Sequence, residues 1–137
     1  MEKEKIKALA DFLQISIKEA RELIESGSYE VLNDEEAEEK AAEYIKGSLW
    51  AFNADFILKH CKNADSMDCY EWDAAKESIE HAQAVQCESL NGLCFALIDN
   101  INEFIQDAIQ EDGRGHFISF YDGKEHEQNG FFIYKQN

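Results

Sequence analysis

Between residues 90 and 109 the apolar residues recur with a helical rhythm. Leu90, Leu93, Cys94, Leu97, Ile98, Ile101, Phe104, Ile105, Ala108 and Ile109 form a wide stripe, and Asp99, Asn102, Glu103, Gln106, Asp107 and Gln110 fill the remaining positions. A stripe of that width must be covered by other elements. The segment is therefore read as the core helix of the protein, ended by Gly113. The chain has no proline, so nothing of that kind interrupts helices along it.

Further helices precede it. Ile6, Leu9, Phe12 and Leu13 share one face of a first helix. Ser16 and Glu19 are spaced as a capping box for a second, which ends at Gly27. The pair reads as a helical hairpin. Tyr29–Leu32 is β-prone. Asn33 or Asp34 then caps a helix whose inner face is Ala37, Ala41, Tyr44, Ile45, Leu49 and Phe52. Asn53 caps a short continuation, and after the polar loop 62–69 a further helix places Trp72, Ala75, Ile79, Ala82 and Val85 on one side. At the C-terminal end, Phe117–Tyr121 and Phe131–Lys135 read as strands, with Asp122-Gly123 and Asn129-Gly130 as hairpin-type turn pairs. The expected fold is α+β: one mainly helical domain over 1–137 with a small antiparallel sheet that includes a C-terminal β-hairpin. It divides into a helical hairpin (1–28), an acidic helical core (29–111) and a β unit (112–137).

Charge narrows the partners. The chain carries 13 Lys/Arg and 29 Asp/Glu, for a net charge of −16. Residues 31–112 hold 19 of the acids and five of the bases, whereas residues 113–137 are balanced at three and three. Such a field repels nucleic acid and anionic membrane directly. The short helices joined by LQIS carry no basic stripe, which argues against a DNA-reading helix-turn-helix. The N-terminus lacks the apolar region of a secretory signal, and no apolar run approaches the roughly 20 residues of a membrane span. A cytoplasmic protein with reduced thiols is expected.

Three kinds of site come into question. Zinc sites bring closely spaced ligand pairs; Cys61, Cys69, Cys87 and Cys94 have no such spacing. Cys87 and Cys94 read instead as buried thiols facing one way on a helix. No metal or cofactor is expected. The busiest stretch, DGRGHFISFYDGKEHEQNGFFIYK at 112–135, holds Arg114, His116, Asp122 and His126. These four define an alternative ligand or catalytic site, yet no nucleophile–base pair is visible among them. Arg114 is expected to satisfy Glu111 and Asp112, and glycines and turns explain most of the composition. The third is the acid itself. Asp34, Glu35, Glu38, Glu39 and Glu43 on one helix, with Asp99, Glu103 and Asp107 on another, are rows able to occupy a basic groove.

Two stretches resemble small acidic proteins of bacteriophages and integrated mobile elements. VLNDEEAEEKAAEYIKGSLWAFN (31–53) is similar to their acidic VLTDEEA helix leading to a W-x-F segment. DGRGHFISFYDGKEHE (112–127) with the closing FFIYK resembles their C-terminal DGRGH-x-L-x-x-YDGEE…YYIYR signature. The resemblance covers about a third of the chain and implies a mobile-element origin and a C-terminal β unit; it transfers no catalytic residue. Charge and resemblance together lead to one expectation. The protein is an accessory factor, not an enzyme, that binds the basic nucleic-acid-binding surface of a host defence protein by mimicking nucleic acid, in the manner of an anti-CRISPR or anti-restriction inhibitor.

Overall fold

The computed structural model describes residues 2–137. It is α+β, mostly helical with one three-stranded antiparallel sheet. The chain divides into two compact units. One runs through Tyr44 and resumes at Ile109–Asn137; the other is Ile45–Ala108.

The discontinuous unit holds the sheet. Helices α1 (Glu2–Leu13) and α2 (Ile17–Glu25) form the expected hairpin. The Ser16 hydroxyl accepts from the Glu19 N–H at 3.1 Å. Gly27 closes α2 at φ +80°, with Ser28 N–H donating to Leu23 O and Gly27 N–H to Ile24 O. That paired arrangement satisfies carbonyls the helix end would leave bare. Strand β1 (Tyr29–Leu32) leads into α3 (Asp34–Gly47), which Asn33 caps reciprocally with Glu36. Strands β2 (His126–Gln128) and β3 (Phe131–Lys135) pair through a two-residue turn at Asn129-Gly130, both at positive φ. That is the requirement of a type I′ hairpin, which the Asn-Gly pair meets cheaply.

Strand β3 lies between β1 and β2. Its alternation puts Phe131 and Ile133 on one face, packed with Ile6, Leu9 and Val31 into a core closed by Leu23 and Ile24. Phe132 and Tyr134 point to the other face. Tyr134 is fully buried there, so this small sheet is covered on both sides.

Three expectations for this unit are overturned. Residues 117–121 are not a strand. Residues Arg114–Ile118 form a short helix, α8, and the chain then turns. Gly113 starts it at φ +83°, and a Cβ on Gly115 would stand 2.6–2.8 Å from backbone atoms of Gly123, Lys124 and Glu125. Close backbone approach, rather than a ladder, sets the conformation. Phe117 and Ile118 are buried, whereas Phe120 and Tyr121 are exposed. Asp122-Gly123 belongs to the loop that returns to β2 rather than to a hairpin. Tyr44, read as inward-facing, is 45% exposed.

The second unit is helical: α4 (Ala54–Lys59), α5 (Cys69–Gln86), α6 (Asn91–Leu97) and most of α7 (Ile101–Asp112). Phe104 sits at its centre, edge-on to Phe52 and Phe56 with centroids 5.1 and 4.9 Å away. Gln83 donates to the carbonyls of Trp50 and Phe52 at 2.8 and 2.7 Å, which holds α5 to the turn before α4.

Here the expected continuous core helix is broken. Ile98 is extended and bridges to Cys61, and Asn100 caps a new helix by accepting from Glu103 N–H. The apolar rhythm ran through a capping signal. As a result Leu93 and Leu97 are 53% and 44% exposed. Cys87 is exposed at the end of α5, off the helix that carries Cys94, which is buried. Val85 is 67% exposed, and α5 buries no residue at all. Among the described residues no helix is long and apolar enough to cross a membrane.

Candidate functional site

Helix α3 carries acid at positions other than its buried Ala37, Ala41 and Ile45. Asp34, Glu35 and Glu36 lie in its first turn, where the helix dipole favours negative charge. The five candidate acids do not share one environment. Asp34 and Glu38, four residues apart, turn toward α8. Arg114 Nη1 lies 2.8 Å from Asp34 Oδ1 and 3.3 Å from Glu38 Oε1, and its Nε donates to Glu125 Oε1 at 2.9 Å. The guanidinium also rests 4.6 Å over the Phe132 ring, and its side chain is only 9% exposed.

Arg114 is therefore the keystone of a partly buried ion network. Burial by itself would lower its pKa, but the hydrogen bonds to Glu125 and Asp34 outweigh that and hold it above its ordinary value. Glu125 also accepts from the Tyr134 hydroxyl. Burial, and then that carboxylate, push the Tyr134 pKa upward. The expected pairing of Arg114 with Glu111 and Asp112 gives way to partners up to 80 residues away. No single-sequence pattern could have named them.

Glu35, Glu39 and Glu43 are left. They are exposed, and among the described residues they make no ion pair or side-chain hydrogen bond. A spacing of four puts them in one row, each about 6 Å along the helix from the next. Neighbouring α3 charges are compensated: Lys5 pairs with Glu36 at 2.9 Å, and Lys40 pairs with Glu30. The Asn33 N–H first, and Lys5 next, hold the Glu36 carboxyl below its ordinary value.

The other three acids lie in the second unit. Asp99 and Glu103 are exposed and line a polar cleft of about 230 Å³ with His60 and Asp65. Asp107 Oδ2 stands 3.1 Å from His60 Nε2, without hydrogen-bond geometry at that nitrogen. Burial lowers the His60 pKa, with Asp107 working against it.

The alternative site around residues 112–127 does not collect its four side chains on one target. Arg114 is committed to its carboxylates. Asp122 accepts from Lys124 N–H at 3.0 Å and sits 3.0 Å from the Ser119 hydroxyl, and the Lys124 N–H holds its carboxyl below the ordinary range. His126 lies tilted against Phe12 with ring centroids 5.0 Å apart, and exposed His116 lies 5.0 Å edge-on to Phe117. The glycines of the stretch also have structural work. Among the described residues no group of three or more His, Cys, Asp or Glu is placed to hold a metal ion. Cys61 and Cys94 have thiol pKa values raised by burial.

No family model matches the chain, and neither the curated proteins nor the solved structures compared with it contain a match.

Proposed function

We propose that the protein is an acidic accessory factor that binds the basic nucleic-acid-binding surface of a host protein. The observation that carries this reading is the row Glu35, Glu39 and Glu43, unpaired on a helix whose other acids are compensated from within the fold. Steps of about 6 Å along the helix make a linear run of like charge, the feature that a phosphate strand also presents. A lysine- or arginine-lined groove that tracks phosphates can meet such a row. The net charge of −16 supplies the long-range attraction, and like-charge repulsion keeps nucleic acid itself away. The resemblance to small phage and mobile-element proteins favours a defence protein of the CRISPR or restriction type as the target. Asp99 and Glu103 offer a second set of charges, and Asp107 contributes less because His60 faces it.

The test is capture from bacterial lysate at low salt, with elution by a salt gradient and identification by mass spectrometry. The wild-type protein is compared with a Glu35→Gln, Glu39→Gln, Glu43→Gln variant. Retention of a DNA-handling protein by the wild type alone, released as salt shortens the Debye length below about 10 Å, is the expected result. Equal retention by the triple variant, or no charge-dependent partner, sinks the reading.

A further inference from the structure

The second unit carries a surface of a different kind. An apolar groove of about 330 Å³ is walled by α4, α5 and the segment through α6. Ala75, Ser78, Ile79 and Ala82 line it from α5, and Leu90, Leu93, Cys94 and Leu97 from the other side. Both sets follow the same spacing, i, i+3, i+4 and i+7. That is the stripe a helix shows to another helix. Seven residues of rise make each stripe about 10 Å long, or two turns of a third helix laid along them.

The groove lacks its cover. Helix α5 runs for 18 residues and buries none; Leu93 and Leu97 are about half exposed. Floor contacts come from Ile57 and Leu58, both buried, so the groove is preformed. Charge decides what covers it. The unit Ile45–Ala108 has 11 Asp/Glu against four Lys, and only one of those lysines, Lys62, lines the groove. No carboxylate lines the groove itself, but Asp68 and Glu71 are exposed at the start of α5, the helix that walls it. A second copy would bring the same excess of carboxylates, whereas a cationic chain would be drawn in.

We propose that this groove docks an amphipathic helix of a partner protein, with leucine-like anchors on its apolar face and Lys or Arg on its polar face. The groove shares no residue with the α3 carboxylate row.

The test uses two designed helical peptides with one leucine stripe at i, i+3, i+4 and i+7, one with lysines and one with glutamates on the polar face. Binding to the full chain is followed by fluorescence anisotropy. The lysine peptide is expected to bind and the glutamate peptide not. Leu93→Glu and Leu97→Glu should each weaken the lysine peptide by more than about tenfold. Both positions are exposed, so the variants keep the fold, which circular dichroism checks. The sign of the change is informative, because an added carboxylate would strengthen any merely electrostatic attraction. Glu35→Gln, Glu39→Gln, Glu43→Gln should leave this binding unchanged, so the two surfaces succeed or fail separately. Equal binding of both peptides, binding insensitive to Leu93→Glu, or no binding would overturn the proposal. So would a self-association that Leu93→Glu abolishes, since the groove would then belong to a second copy.

Discussion

The two units finish their surfaces in opposite ways. In the unit that contains the sheet, a cation is drawn under cover and tied to carboxylates nearer the surface, and every member is paired: Arg114 with Asp34, Glu38 and Glu125, and Tyr134 with Glu125. In the helical unit, apolar groups that could be covered stay open, and α5 remains a wall without a roof. A paired ion network resists change because removal of one partner strands the others. An open apolar wall tolerates change, because its contacts have yet to be made. One unit is therefore specified from within, and the other is available to a partner.

The sharpest break in that comparison is Arg114→Met. It removes the charge-assisted hydrogen bonds to Asp34, Glu38 and Glu125 and the seat over Phe132, and should cost about 3 kcal/mol, read as a shift in urea midpoint; an unchanged midpoint would mean the network is decorative. Gly115→Ala comes next. Its new methyl would meet backbone at 2.6–2.8 Å, and no flexible side chain is there to yield, so a loss of about 2 kcal/mol is expected. In the helical unit, Leu93→Ser should change stability by no more than about 0.5 kcal/mol. A large loss would show that Leu93 already has a cover within the chain.

The pH dependence of the helical unit sharpens the contrast. The folded-state pKa of His60 lies below its ordinary 6.5. The unfolded chain therefore binds more protons in that window, and stability falls as pH drops from 6.5 toward the folded value. Urea midpoints measured between about pH 7.5 and 5.5 should decline more in the wild type than in His60→Phe. Identical slopes would mean that Asp107 fully offsets the burial. Smallest of all, the Glu35→Gln, Glu39→Gln, Glu43→Gln variant should shift stability by no more than about 0.5 kcal/mol, since those carboxylates make no ion pair and only Glu35 lies in the first turn of α3; a urea midpoint that moves further would give them a structural role.

The same contrast explains what could be read from the sequence. Local chemistry was legible: the Asn129-Gly130 turn, the Gly27 helix end and the Ser16 cap each follow from residues within a few positions of one another. The break between α6 and α7 was also written locally, in Asp99-Asn100 before Glu103, but a strong apolar rhythm across it masked the cap. Helix α8 was hidden for another reason. Phe117–Tyr121 has strand-like composition, and only the contact of Gly115 with residues 123–125 decides against a strand. The candidate acids were visible as a row, yet their division into compensated Asp34 and Glu38 and free Glu35, Glu39 and Glu43 depends on an arginine 80 residues away. The groove stayed out of view because α5 and α6 were each expected to spend their apolar stripes on the core.

The position of β3 has a consequence for how the molecule is made. It is the middle strand of the sheet, yet it follows β1 by about a hundred residues of chain. While the ribosome extrudes the helical unit, which is continuous in sequence and can close on local contacts, β1 has no neighbour to pair with. Its edge stays open through that whole interval, the condition in which strands find wrong partners. The brevity of β1, four residues with Glu30 inside it, limits that risk until β3 arrives.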